Sequence, residues 1–138
     1  MDPNLIIGSC FVDNRGSVFY NNIFDFSSCK RCYIIENSLD NPNRAWQGHK
    51  TEQRWFLSIV GIFKIRLIEI DNWDLPSKTL PKLEFILNSN AMNILHIPSG
   101  YISSIESLEQ CSKLFVMSDY GFKEIEDEYK FPLDYFNI

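Results

Sequence analysis

One short stretch of the chain, from Arg44 to Arg54, concentrates side chains that could do chemistry. It brings two arginines, an amide, an imidazole, a lysine and a carboxylate into eleven residues. A strongly apolar, alternating segment follows directly and ends at Gly61. Because polar groups this dense lead into a segment that must be half buried, they are expected to line a cavity rather than a surface. The stretch therefore predicts the mouth and inner wall of a β-barrel with a small-molecule site inside.

His49 is the candidate acid/base of this stretch. An imidazole has an unperturbed pKa of about 6.5, so it can accept and donate a proton near neutral pH. Guanidinium groups bind phosphate oxygens through two parallel hydrogen bonds, and Arg44 and Arg54 bracket the histidine. The alternative for His49 is a structural role, satisfied by Glu52 or by the backbone. The second histidine, His96, is expected to be a packed or rim residue.

Short strand-like segments separated by turns make up most of the remaining chain. In residues 62–70 apolar side chains alternate with Lys64 and Arg66, which is typical of a sheet with one wet face. Asp13 to Gly16 forms a turn that joins the first two strands into a hairpin. Residues 71–82 form a loop around two prolines, and the aromatic-rich tail, 120–138, is expected to lie across the barrel.

The expected strands are residues 5–12, 17–24, 30–36, 53–60, 62–70, 84–87, 92–97, 101–104 and 113–118. Nine to eleven short strands without a long amphipathic helix favour an all-β sandwich or jelly-roll barrel. A length of 138 residues suits one domain, residues 1–138.

Composition excludes several other classes of protein. A formal charge of -5 argues against a nucleic-acid partner, because duplex binding depends on phosphate neutralisation. The sequence contains no apolar run of the roughly 18–20 residues that span a bilayer, so no membrane association is expected. The first residues lack a basic region typical of a signal peptide, which predicts a cytoplasmic protein. The lone Cys29-x-x-Cys32 pair lacks the further ligands of a zinc site, so free thiols are expected.

Several patterns in the chain resemble those of one enzyme family. Gln47-Gly48-His49 with Glu52 and Gly61, followed by Ile97-Pro98-Ser99-Gly100-Tyr101, is similar to the two motifs of cupins. Four further patterns resemble the dTDP-sugar 3,4-ketoisomerases: Asp13-x-Arg15-Gly16, Lys30-Arg31-x-Tyr33, Arg44-x-x-Gln47-x-His49-Lys50 and Ser118-Asp119-Tyr120. These enzymes belong with the dTDP-4-dehydrorhamnose 3,5-epimerases among the RmlC-like cupins. The likeness covers nearly the whole chain. It implies an all-β, cupin-type jelly-roll β-barrel with a short C-terminal extension. It also implies a homodimer, often with exchanged N-terminal strands, that binds a nucleotide-linked 4-keto sugar.

The resemblance also suggests roles for individual residues. His49 and Tyr120 would be the catalytic residues, whereas the substrate would be bound by Arg15, Arg31, Tyr33, Arg44, Gln47, Arg54 and Tyr101. The family carries two histidines where this chain has Gln47-x-His49, so the first histidine is replaced. An amide cannot exchange protons, but it can donate a hydrogen bond to an enediolate oxygen.

Neither a metal nor another cofactor is expected. Gln47 and Ser103 stand where metal-binding cupins carry histidines, and His49 with Glu52 alone would make a poor transition-metal site.

Three functions remain open from the sequence. The first is a nucleotide-sugar ketoisomerase or epimerase of deoxysugar or surface-polysaccharide synthesis, with His49 moving a proton through an enediol(ate). An isomerase could use His49 alone, whereas an epimerase would also need Tyr120 or Tyr101. The second is a non-catalytic nucleotide-sugar-binding module, because Gln47 has replaced a base. The third is a metal-dependent cupin dioxygenase, which the ligand count opposes. Trp46 and Trp55 are expected to pack in the core, and the alternative is that either stacks on a base.

Overall fold

The computed structural model describes residues 1–137, which form two five-stranded antiparallel sheets and a separate two-stranded hairpin. The strands are β1 (Asn4–Ile6), β2 (Ser9–Asp13), β3 (Gly16–Tyr20), β4 (Arg31–Ile35), β5 (Asn43–His49), β6 (Arg54–Val60), β7 (Ile62–Glu69), β8 (Leu83–Asn88), β9 (Ile94–Ile97), β10 (Tyr101–Ser107), β11 (Lys113–Ser118) and β12 (Glu128–Lys130). Within residues 1–137 the helical content is a single 3₁₀ turn at Phe26–Ser28. No described helix therefore has the length or hydropathy of a membrane span.

The two sheets face each other across one apolar core. The first sheet has the strand order β1-β9-β6-β11-β4, and the second has the order β12-β5-β10-β7-β8. On β7 the alternation is as expected: Phe63, Ile65 and Leu67 are fully buried, whereas Lys64 and Arg66 pair with Glu84 on the outer face. The apolar core fills the end of the barrel near β7, β8 and β9. The polar residues collect at the other end, where β4 and β5 face each other.

The predicted strands are present, with shifted boundaries, but two strands were missed. The first predicted strand, residues 5–12, is interrupted at Gly8 and forms β1 and part of β2. Strand β5 was missed because its inward side chains are polar, so the usual apolar signal is absent. Strand β12 lies in the tail and pairs with β5 as the edge of the second sheet.

A glycine in β5 allows close contact with the neighbouring strand β10. A Cβ atom at Gly48 would collide with the carbonyl oxygen of Tyr101 and the Cα of Ile102. Any larger residue would push β5 away from β10, and would displace Gln47 and His49 on either side. Glycine at this position therefore helps to place the polar side chains of β5.

The hairpin of β2 and β3 stands apart from both sheets. Its two strands pair only with each other among residues 1–137. The hairpin exposes apolar side chains, including Phe11, Val12, Val18 and Phe19. Such a surface is unusual for a monomer and is typical of a surface that another chain covers.

Candidate active site

The imidazole of His49 lies between two carboxylates. Its Nδ1 atom is 3.0 Å from Oδ1 of Asp127, and its Nε2 atom is 3.3 Å from Oε2 of Glu52. All three side chains are at least nine-tenths buried. The second oxygen of Asp127 accepts the backbone N–H groups of Thr51 and Glu52. One carboxylate therefore orients the ring and also fixes the turn that joins β5 to β6.

The electrostatics of Asp127 suit an anion that holds a histidine. Burial raises the pKa of Asp127, but the N–H of Glu52, the His49 ring and the N–H of Thr51 together bring it below its usual value. The carboxylate is therefore ionised at neutral pH. It accepts a hydrogen bond from Nδ1–H, which leaves Nε2 as the nitrogen that can exchange a proton.

Two buried polar atoms lack a hydrogen-bond partner among the described residues: Oε2 of Glu52 and Nε of Arg31. The contact of Glu52 with His49 is close enough for attraction but is not aligned as a hydrogen bond. Both residues border the same cavity of about 530 Å³, which His49 and Asp127 also line. Since buried polar groups are normally satisfied, two unsatisfied atoms beside one cavity make it a candidate ligand site.

The outer wall of this larger cavity comes from the segment between β11 and β12. It contributes Phe122 and Lys123. The exposed ring of Phe122 has the guanidinium of Arg31 at 5.8 Å and the ammonium of Lys123 at 5.3 Å from its centroid. Arg31 also lies 5.0 Å from the ring of Tyr33. An accessible aromatic face between two cations could stack a base and attract phosphate.

A second cavity of about 340 Å³ lies between β4 and β5 and is lined by Tyr33, Arg44, Gln47, Arg54 and Ser103 among others. The Arg54 side chain is buried and forms no ion pair within residues 1–137. Its Nη2 atom donates to the Ser103 hydroxyl at 3.4 Å, and its guanidinium lies 5.1 Å from the Phe56 ring. Burial lowers the pKa of Arg54, against the opposing effects of Tyr33 and Glu52. A buried cation without an anionic partner is costly unless an anion binds there.

The structure brings most of the predicted site residues together, but not all of them. His49 and Arg31 line the larger cavity, and Tyr33, Arg44, Gln47 and Arg54 line the smaller one. The amide of Gln47 donates to the carboxylate of Glu128 on β12. The two cavities are therefore neighbours along one slot between β4 and β5.

Three predicted residues lie elsewhere. Arg15 is in the hairpin turn, where its side chain is 82% exposed and pairs with Asp13, because a tight turn points its charges to solvent. Tyr101 packs in the apolar core and borders a different cavity near Leu80. Tyr120 is half buried beside Ser118. It does not line either of the two cavities of the slot.

Both tryptophans have the structural role that was expected of them. Trp46 is buried against Phe136, and Trp55 lies on the outer face of the first sheet, stacked on His96 at 5.2 Å between ring centroids. Neither ring is available to stack on a base. His96 is also packed, with Nε2 2.7 Å from the amide oxygen of Gln53.

Asp127 is the main site residue that the sequence did not suggest. It is 78 residues away from His49 and lies in an acidic tail, where a single aspartate carries no signal. Phe122 and Lys123 lie in the same tail, distant in sequence from His49, and were also missed. Glu52 was noticed only as a possible partner of His49, and its contact with the ring follows from the three-residue spacing.

One nitrogen and two carboxylates within 4.8 Å resemble a set of metal ligands. In this cluster, however, each ring nitrogen already contacts a carboxylate, and Asp127 also accepts two backbone N–H groups. Asp127 is therefore engaged in hydrogen bonds, whereas Oε2 of Glu52 has no hydrogen-bond donor among the described residues. The absence of a metal requirement stays a prediction.

Comparison with solved structures identifies the fold. No family model matches the sequence, and no curated protein matches it. The chain has the jelly-roll fold of the RmlC-like cupins, as the sequence patterns predicted.

The similar structures include sugar isomerases. QdtA, a 3,4-ketoisomerase from Thermoanaerobacterium thermosaccharolyticum, was solved as a mutant with TDP-4-keto-6-deoxyglucose. It is 20% identical with a TM-score of 0.69, over 92% of this chain and 86% of that chain. A 3,4-ketoisomerase from Helicobacter canadensis is 21% identical with a TM-score of 0.67, over 88% and 86%. The rmlC epimerase of Mycobacterium tuberculosis is 12% identical with a TM-score of 0.74, over 93% and 68%.

Proposed function

We propose that this protein binds a nucleotide-linked 4-keto sugar in the slot between β4 and β5, and isomerises or epimerises it through an enediol(ate). The observation that carries the proposal is the buried His49, held on one side by Asp127 and bordering a cavity that Arg31 also lines. Proton removal beside a carbonyl needs an oriented base and a nearby positive charge, and both are present. The fold similarity to sugar isomerases supports this class of reaction.

The larger cavity would hold the reacting sugar against His49. Its outer wall would hold the nucleotide, with the diphosphate between Arg31 and Lys123 and the base on Phe122. The volume of about 530 Å³ is within the usual range for small-molecule sites. A nucleotide ligand is also suggested by QdtA, which was crystallised with TDP.

The smaller cavity would stabilise the charge that develops during the reaction. When a base removes the proton next to a carbonyl, negative charge builds up on the carbonyl oxygen. The buried guanidinium of Arg54 and the amide of Gln47 both border this cavity and can donate to such an oxygen. No carboxylate among the described residues forms an ion pair with Arg54, although the charge of Glu52 raises its pKa, so the guanidinium keeps donors for the substrate.

The proposal includes a homodimer. The apolar hairpin of β2 and β3 would cover a second copy of the chain, and Arg15 at its tip could then reach the partner's slot. The proposed setting is the cytoplasm, with the sugar product used in deoxysugar or surface-polysaccharide synthesis.

The test is solvent exchange in deuterium oxide with dTDP-4-keto-6-deoxyglucose, followed by NMR. The wild type should incorporate deuterium at a carbon next to the carbonyl. His49→Asn should lower the rate by about 10²–10⁴, the usual contribution of a general base. The matched control is His96→Asn, since His96 is packed on the outer face of the sheet and away from the slot. Exchange by His49→Asn at the wild-type rate would refute the role of the histidine.

A second candidate function, a nucleotide-sugar-binding module without catalysis, is favoured by one observation. Gln47 cannot exchange protons, and its amide is already engaged by Glu128. If the wild type binds the nucleotide sugar in calorimetry but produces neither deuterium incorporation nor a new sugar, the module is correct and the enzyme proposal fails.

A further inference from the structure

Proton transfer by His49 alone gives the buried carboxylate of Glu52 no role. Its side chain is 5% exposed, and Oε2 has no hydrogen-bond donor among the described residues while it lies 3.3 Å from Nε2 of His49. This nitrogen is the one that Asp127 leaves free for proton exchange. A buried carboxylate beside the reactive nitrogen of a base must therefore take part in its proton balance.

Counting protons locates one between the two groups. If Glu52 were ionised and His49 neutral, a carboxylate oxygen and a nitrogen lone pair would face each other between two buried side chains, which is unfavourable. One proton must therefore lie on Nε2 or on Oε2. Asp127 is the better stabilised anion of the cluster, because it accepts from His49, Thr51 and the N–H of Glu52.

The contacts of the cluster favour Glu52 as the group that holds this proton. Its Oε2 receives no hydrogen bond from the described residues, so this oxygen is free to take and give a proton. Arg54 is buried and donates to Ser103; the charge of Glu52 raises its pKa, but no ion pair joins the two side chains. Arg31 borders the same cavity, but its buried Nε is also unpartnered within residues 1–137, so no hydrogen bond links it to the carboxylate.

We propose that Glu52 is a second acid/base of the site, which moves a proton between the two substrate oxygens while His49 moves one between the two carbons. This proposal depends on the proposed ketoisomerase activity. Glu52 borders the cavity together with His49, so both groups would face the same bound sugar. The chain thereby obtains a second proton-exchanging group, which Gln47 cannot provide.

The reaction balances as a closed cycle. In the first step Nε2 of His49 takes the proton from C3, and the carboxylic acid of Glu52 gives its proton to O4. The C3–H bond breaks, the C3=C4 double bond of an enediol forms, and Glu52 becomes a carboxylate. In the second step His49 returns its proton to C4, and Glu52 takes the proton from O3. The carbonyl is now at C3, both residues regain their starting protonation, and no oxidant or reductant is consumed.

Asp127 keeps the two groups in register. Its Oδ1 holds the His49 ring and its Oδ2 accepts the N–H of Glu52 at 2.8 Å. One carboxylate therefore orients the His49 ring and anchors the backbone of Glu52 beside it. Precise placement of this kind is what concerted proton transfer requires.

The first experiment compares Glu52→Gln with the wild type and with the control Glu106→Gln. Glu106 is an acid on the outer face of β10, where it pairs with Arg66. We expect Glu52→Gln to lose about 10²–10⁴ of kcat while KM and TDP affinity change less than about threefold. Glu52→Asp, which keeps an acid, should recover at least about tenfold over Glu52→Gln. A kcat for Glu52→Gln within about threefold of the wild-type value would overturn the proposal. Near-UV circular dichroism confirms that each variant is folded.

The second experiment is independent of catalysis. Infrared spectra of the wild type near neutral pH should contain the carbonyl stretch of one buried, protonated carboxylic acid, shifted in deuterium oxide and absent in Glu52→Gln. A wild-type spectrum without this band would overturn the assignment of the proton to Glu52. If the wild type shows the band but isomerises no sugar, the proposed function fails while Glu52 remains the proton carrier of the cluster. The two failures are therefore distinguishable.

Discussion

Replacing Asp127 with alanine removes the acceptor for three donors at once. These donors are Nδ1 of His49 and the backbone N–H groups of Thr51 and Glu52. The Asp127 side chain is 9% exposed, so water replaces its contacts poorly. We therefore expect Asp127→Ala to loosen both the base and the turn between β5 and β6.

The size of the effect follows from the burial of each donor. A hydrogen bond to a charged group contributes about 1.5–3 kcal/mol. Thr51 is exposed, so water can satisfy its N–H, whereas His49 and Glu52 are buried. Two such bonds to one carboxylate are not fully additive. We expect Asp127→Ala to lower the free energy of unfolding by about 3 kcal/mol, which corresponds to roughly 10 °C in Tm for a domain of this size.

The loss of unfolding free energy in Asp127→Ala should depend on pH in a defined direction. The pKa of Asp127 in the folded protein is below its usual value. A carboxyl group with a lowered folded pKa stabilises the protein above its unfolded pKa of about 3.9, and this stabilisation disappears as pH falls through the folded value. The difference between wild type and Asp127→Ala should be complete at neutral pH and should shrink at pH values below about 4.

Thermal denaturation followed by circular dichroism measures this prediction. Asp134→Ala is the matched control, because Asp134 is an exposed acid in the same tail. The control should stay within about 1 °C of the wild type. The reasoning is refuted if Asp127→Ala behaves like the control at neutral pH, or if its deficit is as large in acid as at neutral pH.

Two further predictions concern the outer surfaces of the barrel. Burial lowers the pKa of His96, with the charge of Asp119 opposing the shift, so the protein should lose stability as pH falls from about 6.5 through the folded value. His96→Gln should flatten this dependence in thermal melts between neutral pH and pH of about 5, and an unchanged slope would contradict it. In the hairpin, Phe19→Lys should convert a dimer into a monomer in sedimentation velocity, whereas Leu75→Lys, at an exposed loop position, should not. A monomeric wild type would contradict the proposed dimer.

Strands that pack one face on the apolar core could be predicted from the sequence. Residues 62–67 alternate, because each inward side chain packs on apolar neighbours whereas Lys64 and Arg66 reach the outer face. Strand β5 has the opposite pattern. Its inward residues, including Gln47 and His49, line a slot instead of a core, so the apolar signal that normally marks a strand is missing.

The candidate site could be predicted only where its residues are close in sequence. The dense polar stretch identified His49, Gln47 and Arg54, and their strands place them along one slot. The partner that orients the histidine could not be found, because Asp127 comes from a distant segment and is one acid among several. Arg15 is a different case. Its motif matched a family pattern, but a single chain holds it far from the slot at the tip of the hairpin.

The C-terminal segment is attached to the barrel through the three-residue strand β12, which pairs with β5. The same segment supplies Phe122, Lys123 and Asp127 to the larger cavity. A local detachment of this strand would remove a wall of the cavity and release the histidine ring in one event, while the apolar core near β7 stayed intact. Proteolytic nicking after β11 would therefore free the histidine ring and lower Tm through the lost Asp127 contacts, while the apolar core near β7 stays folded.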